Sequence, residues 1–126
     1  GTGSIAFELI SRGCPSVISV EQNKACSEWI RKAAKNFKME NLKVVTTDSF
    51  RFISRSNPHQ YDLIFADPPY NHNRLSELNL LIIEHKLLKS GGWLIIEHPE
   101  NIDFSTQEFF KEHRHYGKVN FSFFHY

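Results

Sequence analysis

Apolar positions in this chain fall into two rhythms, and the switches between them mark out alternating strands and helices. Short runs rich in β-branched and aromatic residues read as strands: Val17 to Val20, Leu42 to Thr46, Tyr61 to Ala66 and Trp93 to Ile96. Leu63-Ile64-Phe65 lacks polar alternation, as a strand buried in a parallel sheet does. From Gln22 to Phe37 the apolar residues fall at 25, 26, 29, 30, 33, 34 and 37, the stripe of a helix covering one sheet face, with Trp29 and Phe37 expected in the core.

Other helices are expected before Arg12, with Gly13 as a left-handed C-cap, from Ser49 to Ser54, and from Leu75 to Leu88 with Leu78, Leu81, Ile82, Ile83 and Leu87 inward. Gly91-Gly92 should force a turn before the Trp93 strand. Ser105-Thr106-Gln107-Glu108 has the form of a capping box, predicting a helix to about His113. Arg114 to Tyr116 and Lys118 to His125 should then pair as an antiparallel hairpin around Gly117. The sum is an α/β chain with a mostly parallel sheet and an antiparallel hairpin at its end.

The candidate chemistry collects where those strands end, and in open α/β sheets that is where ligands bind. Tyr61 to Ala66 runs into Asp67-Pro68-Pro69-Tyr70. Two prolines cannot extend a ladder, so the chain leaves the sheet presenting a carboxylate, a carbonyl and an aromatic ring together. Val17 to Val20 delivers Glu21, which could accept from both hydroxyls of a ribose or could merely face a helix dipole. Leu42 to Thr46 delivers Asp48, able to accept from an adenine amino group beside a backbone N–H, or to cap the helix at Ser49. Gly1-Thr2-Gly3-Ser4-Ile5-Ala6 reads as a glycine turn feeding a helix N-terminus, suited to a nucleotide, and as text it fits a dinucleotide fingerprint.

Composition narrows the class without choosing a partner. At 126 residues the chain is expected to be a single domain, 1–126. Its 40% hydrophobic and 23% charged content is ordinary for a globular protein, with no apolar run of membrane-spanning length. A cytoplasmic location is expected, and Cys14 and Cys26, lacking metal-ligand spacing, are expected as reduced thiols. The seven histidines form no Cys/His cluster, and no metal is assigned. A net charge of +1 neither demands nor excludes a nucleic acid.

Glycine loop, acid after Val17–Val20, acid after Leu42–Thr46, DPPY and terminal hairpin together resemble the class I S-adenosylmethionine-dependent methyltransferases. Within them GTGSIAFELISRG, FADPPY, GGWLIIEHPE and RHYGKVNFSFFHY are similar to the RsmD-type 16S ribosomal RNA guanine-N2 methyltransferases, over the whole chain. The resemblance implies a Rossmann-like class I methyltransferase sheet. It implies Gly1 and Gly3 against S-adenosyl-L-methionine, Glu21 on its ribose, Asp48 and Ser49 at its adenine, and Asp67, Pro68 and Tyr70 around the target amine. The implied partner is ribosomal RNA or a small-subunit particle, with no membrane. Against the family pattern the chain opens inside the glycine motif, so a first strand is expected to be missing between the Val17 and Tyr61 strands. Adenine-N6 methylation of DNA, an NAD-dependent oxidoreductase and an inactive methyltransferase-fold fragment are the competing readings.

Overall fold

The computed structural model describes residues 3–69 and 72–126; Gly1, Thr2, Tyr70 and Asn71 lie outside the described residues. In chain order it has helix α1 (Ser4–Ser11), strand β1 (Val17–Glu21), α2 (Lys24–Asn36), β2 (Leu42–Thr46), α3 (Ser49–Arg55), β3 (Tyr61–Ala66), a 3-10 turn (Leu75–Glu77), α4 (Leu78–Glu84), β4 (Leu88–His98), β5 (Phe110–Tyr116) and β6 (Val119–His125). Its contacts divide it into two compact units, Gly1–Phe52 and Ile53–Tyr126, with the division falling inside α3.

In the first unit β1 and β2 pair in parallel, Val17 opposite Leu42 and Glu21 opposite Thr46. Ala6, Ile30, Ala34 and Leu42 are buried together, with Phe7, Ile10, Val17, Met39 and Val44 packed around them. α1 ends in a Schellman motif: Gly13 N–H donates to the Ile10 carbonyl and Cys14 N–H to that of Leu9, each at 3.0 Å, with Gly13 at φ 94°. The inward line of α2 is Ser27, Ile30 and Ala34. Ser27 takes an inner place because its hydroxyl donates to the Lys24 carbonyl and accepts from Thr46 Oγ1. That rotation corrects the expectation for Trp29 and Phe37, which are 56% and 70% exposed; Trp29 meets Phe7 in a T-shaped ring contact, with centroids 6.3 Å apart.

In the second unit the sheet order is β3-β4-β6-β5, with β3 and β4 parallel and the other pairs antiparallel. Leu94, Ile96, Phe104 and Phe124 are almost wholly buried, as are Leu78 and Ile82 of α4. Each such side chain stabilises the fold by about 1.5–3 kcal/mol. Phe104 and Phe110 both approach Phe124 edge-on, at 5.6 and 5.9 Å. Asn79, fully buried, joins three segments: its amide donates to Gln107 Oε1 and the Glu108 carbonyl, and its carbonyl accepts from the Tyr126 hydroxyl at 2.8 Å. Burial of that hydroxyl raises its pKa above the ordinary tyrosine value.

Three expected boundaries are corrected here, each by tertiary pairing. No helix follows Ser105: the 105–109 segment is a series of turns, with Ser105 N–H on Asp103 Oδ1 and Phe109 at φ 69°, and the strand begins at Phe110. Gln107 and Glu108 are instead bonded to Asn79. The helix expected to reach Leu88 stops at Glu84, because Lys86 turns to φ 54° and the carbonyls of Lys86 and Leu87 accept from residues 59–61. Gly91-Gly92 bulges a strand that starts at Leu88; the ladder jumps from Tyr61↔Leu88 to Leu63↔Trp93. A Cβ on Gly92 would lie 2.9 Å from the Lys89 carbonyl oxygen and 3.1 Å from that of Asp62, so only glycine fits the bulge. The hairpin forms as expected and is longer than the sequence suggested. Among the described residues β1 pairs only with β2, and β3 only with β4.

Candidate functional site

Parallel pairing aligns strand ends, and each unit gathers its candidate residues there. In the first unit Glu21 closes β1 opposite Thr46, so Glu21 and Asp48 leave the sheet on the same edge. Asn41 fixes the other end: its side chain donates to the Cys14 carbonyl and its own carbonyl accepts from Val17 N–H. The C-terminal end of α1 therefore lies by the amino ends of the strands, and its N-terminus, with Gly3, is directed toward their carboxyl ends.

Gly3 sits at φ 78°, ψ 11°, the left-handed region, and caps α1 without any side-chain hydrogen bond. A Cβ there would come within 3.1 Å of the Ile30 side chain. Backbone geometry and packing thus both call for glycine, which offers no side-chain cap to the N–H groups of the first helical turn. Glu21 is half-buried and its Oε1 accepts from Asn23 N–H at 3.1 Å. Asp48 is the N-cap of α3, accepting from Phe50 N–H at 2.6 Å, and Ser49 opens that helix on the exposed side. Of the two readings open for Asp48 in the sequence, the cap is the one visible in the fold. A groove of about 410 Å³ rimmed by Arg31, Lys35 and Lys38 contains none of these residues.

In the second unit β3 ends at Ala66, opposite Ile96 of β4. Asp67 follows the end of β3 and Glu97 lies in register beside it on β4, placed for a hydrogen bond between their carboxyl groups. That bond, with partial burial and the Asp67 charge added to it, pushes the Glu97 pKa from 4.5 up to about 7. Asp67 is exposed and Pro68 half-buried. Gly1 and Tyr70, both expected in the site, lie outside the described residues. Glu97 is the residue to which sequence reasoning gave no role, although it ends its strand at the same edge as the other candidates. Its only signal was a place in LIIEHPE at a strand end, and nothing in one sequence says that this strand neighbours the one ending at Asp67.

Behind Glu97, on the opposite face of β4, His98 is fully buried. Its Nδ1 lies 2.9 Å from the Pro99 carbonyl oxygen and its Nε2 2.7 Å from Ser122 Oγ. A carbonyl can only accept, so Nδ1 carries the proton and Nε2 accepts from the serine hydroxyl. Desolvation lowers the His98 pKa, outweighing the opposing bond to Pro99; nearby His113 adds to the lowering. Buried and satisfied, this pair is structural. Among the described residues no group of three or more His, Cys, Asp or Glu side chains could hold a metal ion, and no helix is long and apolar enough to cross a membrane.

The architecture is that of the Rossmann-like methyltransferase fold. A proposed methylase from Haemophilus influenzae superposes with a TM-score of 0.89 at 25% identity, over 99% of this chain and 74% of its own. A geranyl diphosphate methyltransferase solved with SAM shares the fold more distantly, with a TM-score of 0.67 at 12% identity, over 78% of this chain and 38% of its own. The chain belongs to the family described as Conserved hypothetical protein 95, which matches residues 1–125. Among curated relatives, the ribosomal RNA small subunit methyltransferase D of Haemophilus influenzae is 28% identical over 112 residues, 86% of this chain and 58% of that protein. The chain spans about half the length of the curated relatives it matches.

Proposed function

We propose that this protein transfers a methyl group from S-adenosyl-L-methionine to the exocyclic N2 of a guanine in small-subunit (16S) ribosomal RNA, and that residues 1–126 act as one methyltransferase domain. The observation that carries the reading is the end of β3, where an exposed Asp67 carboxylate is followed by two prolines that turn the chain out of the sheet. An amino group has two N–H bonds, and the Asp67 carboxylate and Pro68 carbonyl are two acceptors held on adjacent residues. A ring nitrogen would leave one of them unused. The names of the curated relatives support ribosomal RNA as the substrate.

The first unit fits the cofactor by the chemistry of its donors and acceptors. Gly3 exposes backbone at a helix start, where N–H groups suit electron-rich atoms, and Glu21 suits a pair of hydroxyl donors. Asp48 and Ser49 would serve the adenine through the backbone at the start of α3, with Asp48 keeping its cap. When bound, the cofactor supplies a methyl group on a positively charged sulfur. The chain's own task is at the nitrogen, whose lone pair is delocalised into the base until the nitrogen pyramidalises. Acceptors on its N–H groups favour that change, and Tyr70 would stack on a base swung out of its helix.

The test incubates the protein with labelled cofactor and 16S ribosomal RNA or small-subunit particles, then digests the product to nucleosides. N2-methylguanosine is expected. Label in N6-methyladenosine, in a ring-methylated base, or in no nucleoside would overturn the assignment, as would methylation of adenine N6 in a parallel incubation with DNA.

A further inference from the structure

We propose that Glu97 is a positioning residue for Asp67: its carboxyl group donates a hydrogen bond to the Asp67 carboxylate and fixes which oxygen is left to meet the target amine. The inference rests on the methyltransferase reading above and adds to it a group on a different strand. Three observations carry it. Ala66 and Ile96 are in register, so the next residue of each strand emerges side by side. A hydrogen bond to Asp67 is the largest cause of the raised Glu97 pKa, and such a bond needs a proton on one of the two carboxyls. Among the described residues no cation faces Glu97 across the sheet: β6 places Phe121 opposite it, and Arg114, opposite Phe121 on β5, is bonded to Glu112.

The surroundings decide which carboxyl keeps the proton. Glu97 is the more enclosed of the two, and its pKa of about 7 leaves it largely protonated in slightly acidic solution, beside the more exposed Asp67. His98, His113 and Asp103 interact among themselves behind the strand. When the nitrogen–methyl bond forms and the sulfur–methyl bond breaks, the nitrogen sheds one proton. The Asp67 carboxylate takes it, and the pair, then holding two, returns one to water. Above about pH 7 Glu97 ionises and the hydrogen bond gives way to repulsion between two carboxylates.

Two substitutions separate positioning from mere packing. Glu97→Gln keeps a donor toward Asp67 and cannot titrate; it should hold kcat within about threefold of the parent and lose the decline above neutral pH. Glu97→Ala removes the donor and should lower kcat about tenfold, the scale of one hydrogen bond to a charged group, with KM for S-adenosylmethionine unchanged. Carboxyl carbon NMR reads the pair independently of activity: Glu97 should titrate near pH 7 and return to the ordinary carboxylate range in Asp67→Asn. Glu97 titrating in the ordinary range in the parent protein, or Gln and Ala variants equally impaired, would overturn the inference. Inactivity of every form on guanine, with the NMR coupling intact, would instead overturn the functional reading.

Discussion

Asp67 and Glu97 are neighbours because Ala66 of β3 pairs with Ile96 of the parallel strand β4, and a hydrogen bond between their carboxyl groups is the main cause of the raised Glu97 pKa. The groups are 30 residues apart in sequence, and only the ladder makes them neighbours. The consequence for Asp67 is direct. Asp67→Ala should reduce methyl transfer by roughly a hundred- to thousandfold, the usual cost of about 3–4 kcal/mol for losing a preorganised group that faces developing charge. Cofactor affinity, measured by calorimetry, should hardly change. Full activity in this variant would remove Asp67 from the chemistry.

Glu21→Ala should show the reverse pattern. Loss of charge-assisted bonds to ribose hydroxyls should weaken S-adenosylmethionine binding by about 1.5–3 kcal/mol. Titration calorimetry reads this directly, and unchanged affinity would place the ribose elsewhere.

His98 gives the fold a pH dependence of definite sign. Its folded pKa is lowered by desolvation, so the unfolded chain binds the proton more readily. The stability that neutral His98 contributes should be complete above about pH 6.5, the ordinary value, and should fall as pH drops below it toward the folded pKa. Comparing urea unfolding of the parent and His98→Asn from pH 8 to pH 5 isolates this group from Glu97, whose raised pKa acts in the opposite direction. A stability difference between the two proteins that is flat with pH would show that His98 charges equally well in both states.

Asn79→Ala should destabilise the protein by about 2–4 kcal/mol, because it breaks three hydrogen bonds of a buried amide to partners on two other segments. Tyr126→Phe, which removes only the hydroxyl, should cost about 1 kcal/mol. Equal effects of the two changes in denaturant unfolding would mean that Asn79 does not join the segments energetically.

What the sequence determined by itself was local. Period and composition located β1, β2 and β3, because a strand's alternation and a helix's stripe are written in consecutive residues. Gly13 announced its left-handed cap for the same reason, and DPP could only end a strand. The acids at 21, 48 and 67 were legible because each directly follows such a run. Tertiary structure decided everything that depended on who pairs with whom. Capping chemistry at Ser105 favoured a helix, yet Gln107 and Glu108 were claimed by Asn79 and Phe110 by Phe124. Leu87 and Leu88 continued a helical stripe until the chain at 59–61 took their backbone. Trp29 and Phe37 lay on an apolar stripe whose inward line was set by the bond between Ser27 and Thr46. Glu97 acquired its unusual proton affinity from a residue on another strand. Local propensities are worth tenths of a kcal/mol to about one per residue, whereas a buried side chain or a satisfied buried polar group is worth one to three, so where they conflicted the long-range contact prevailed.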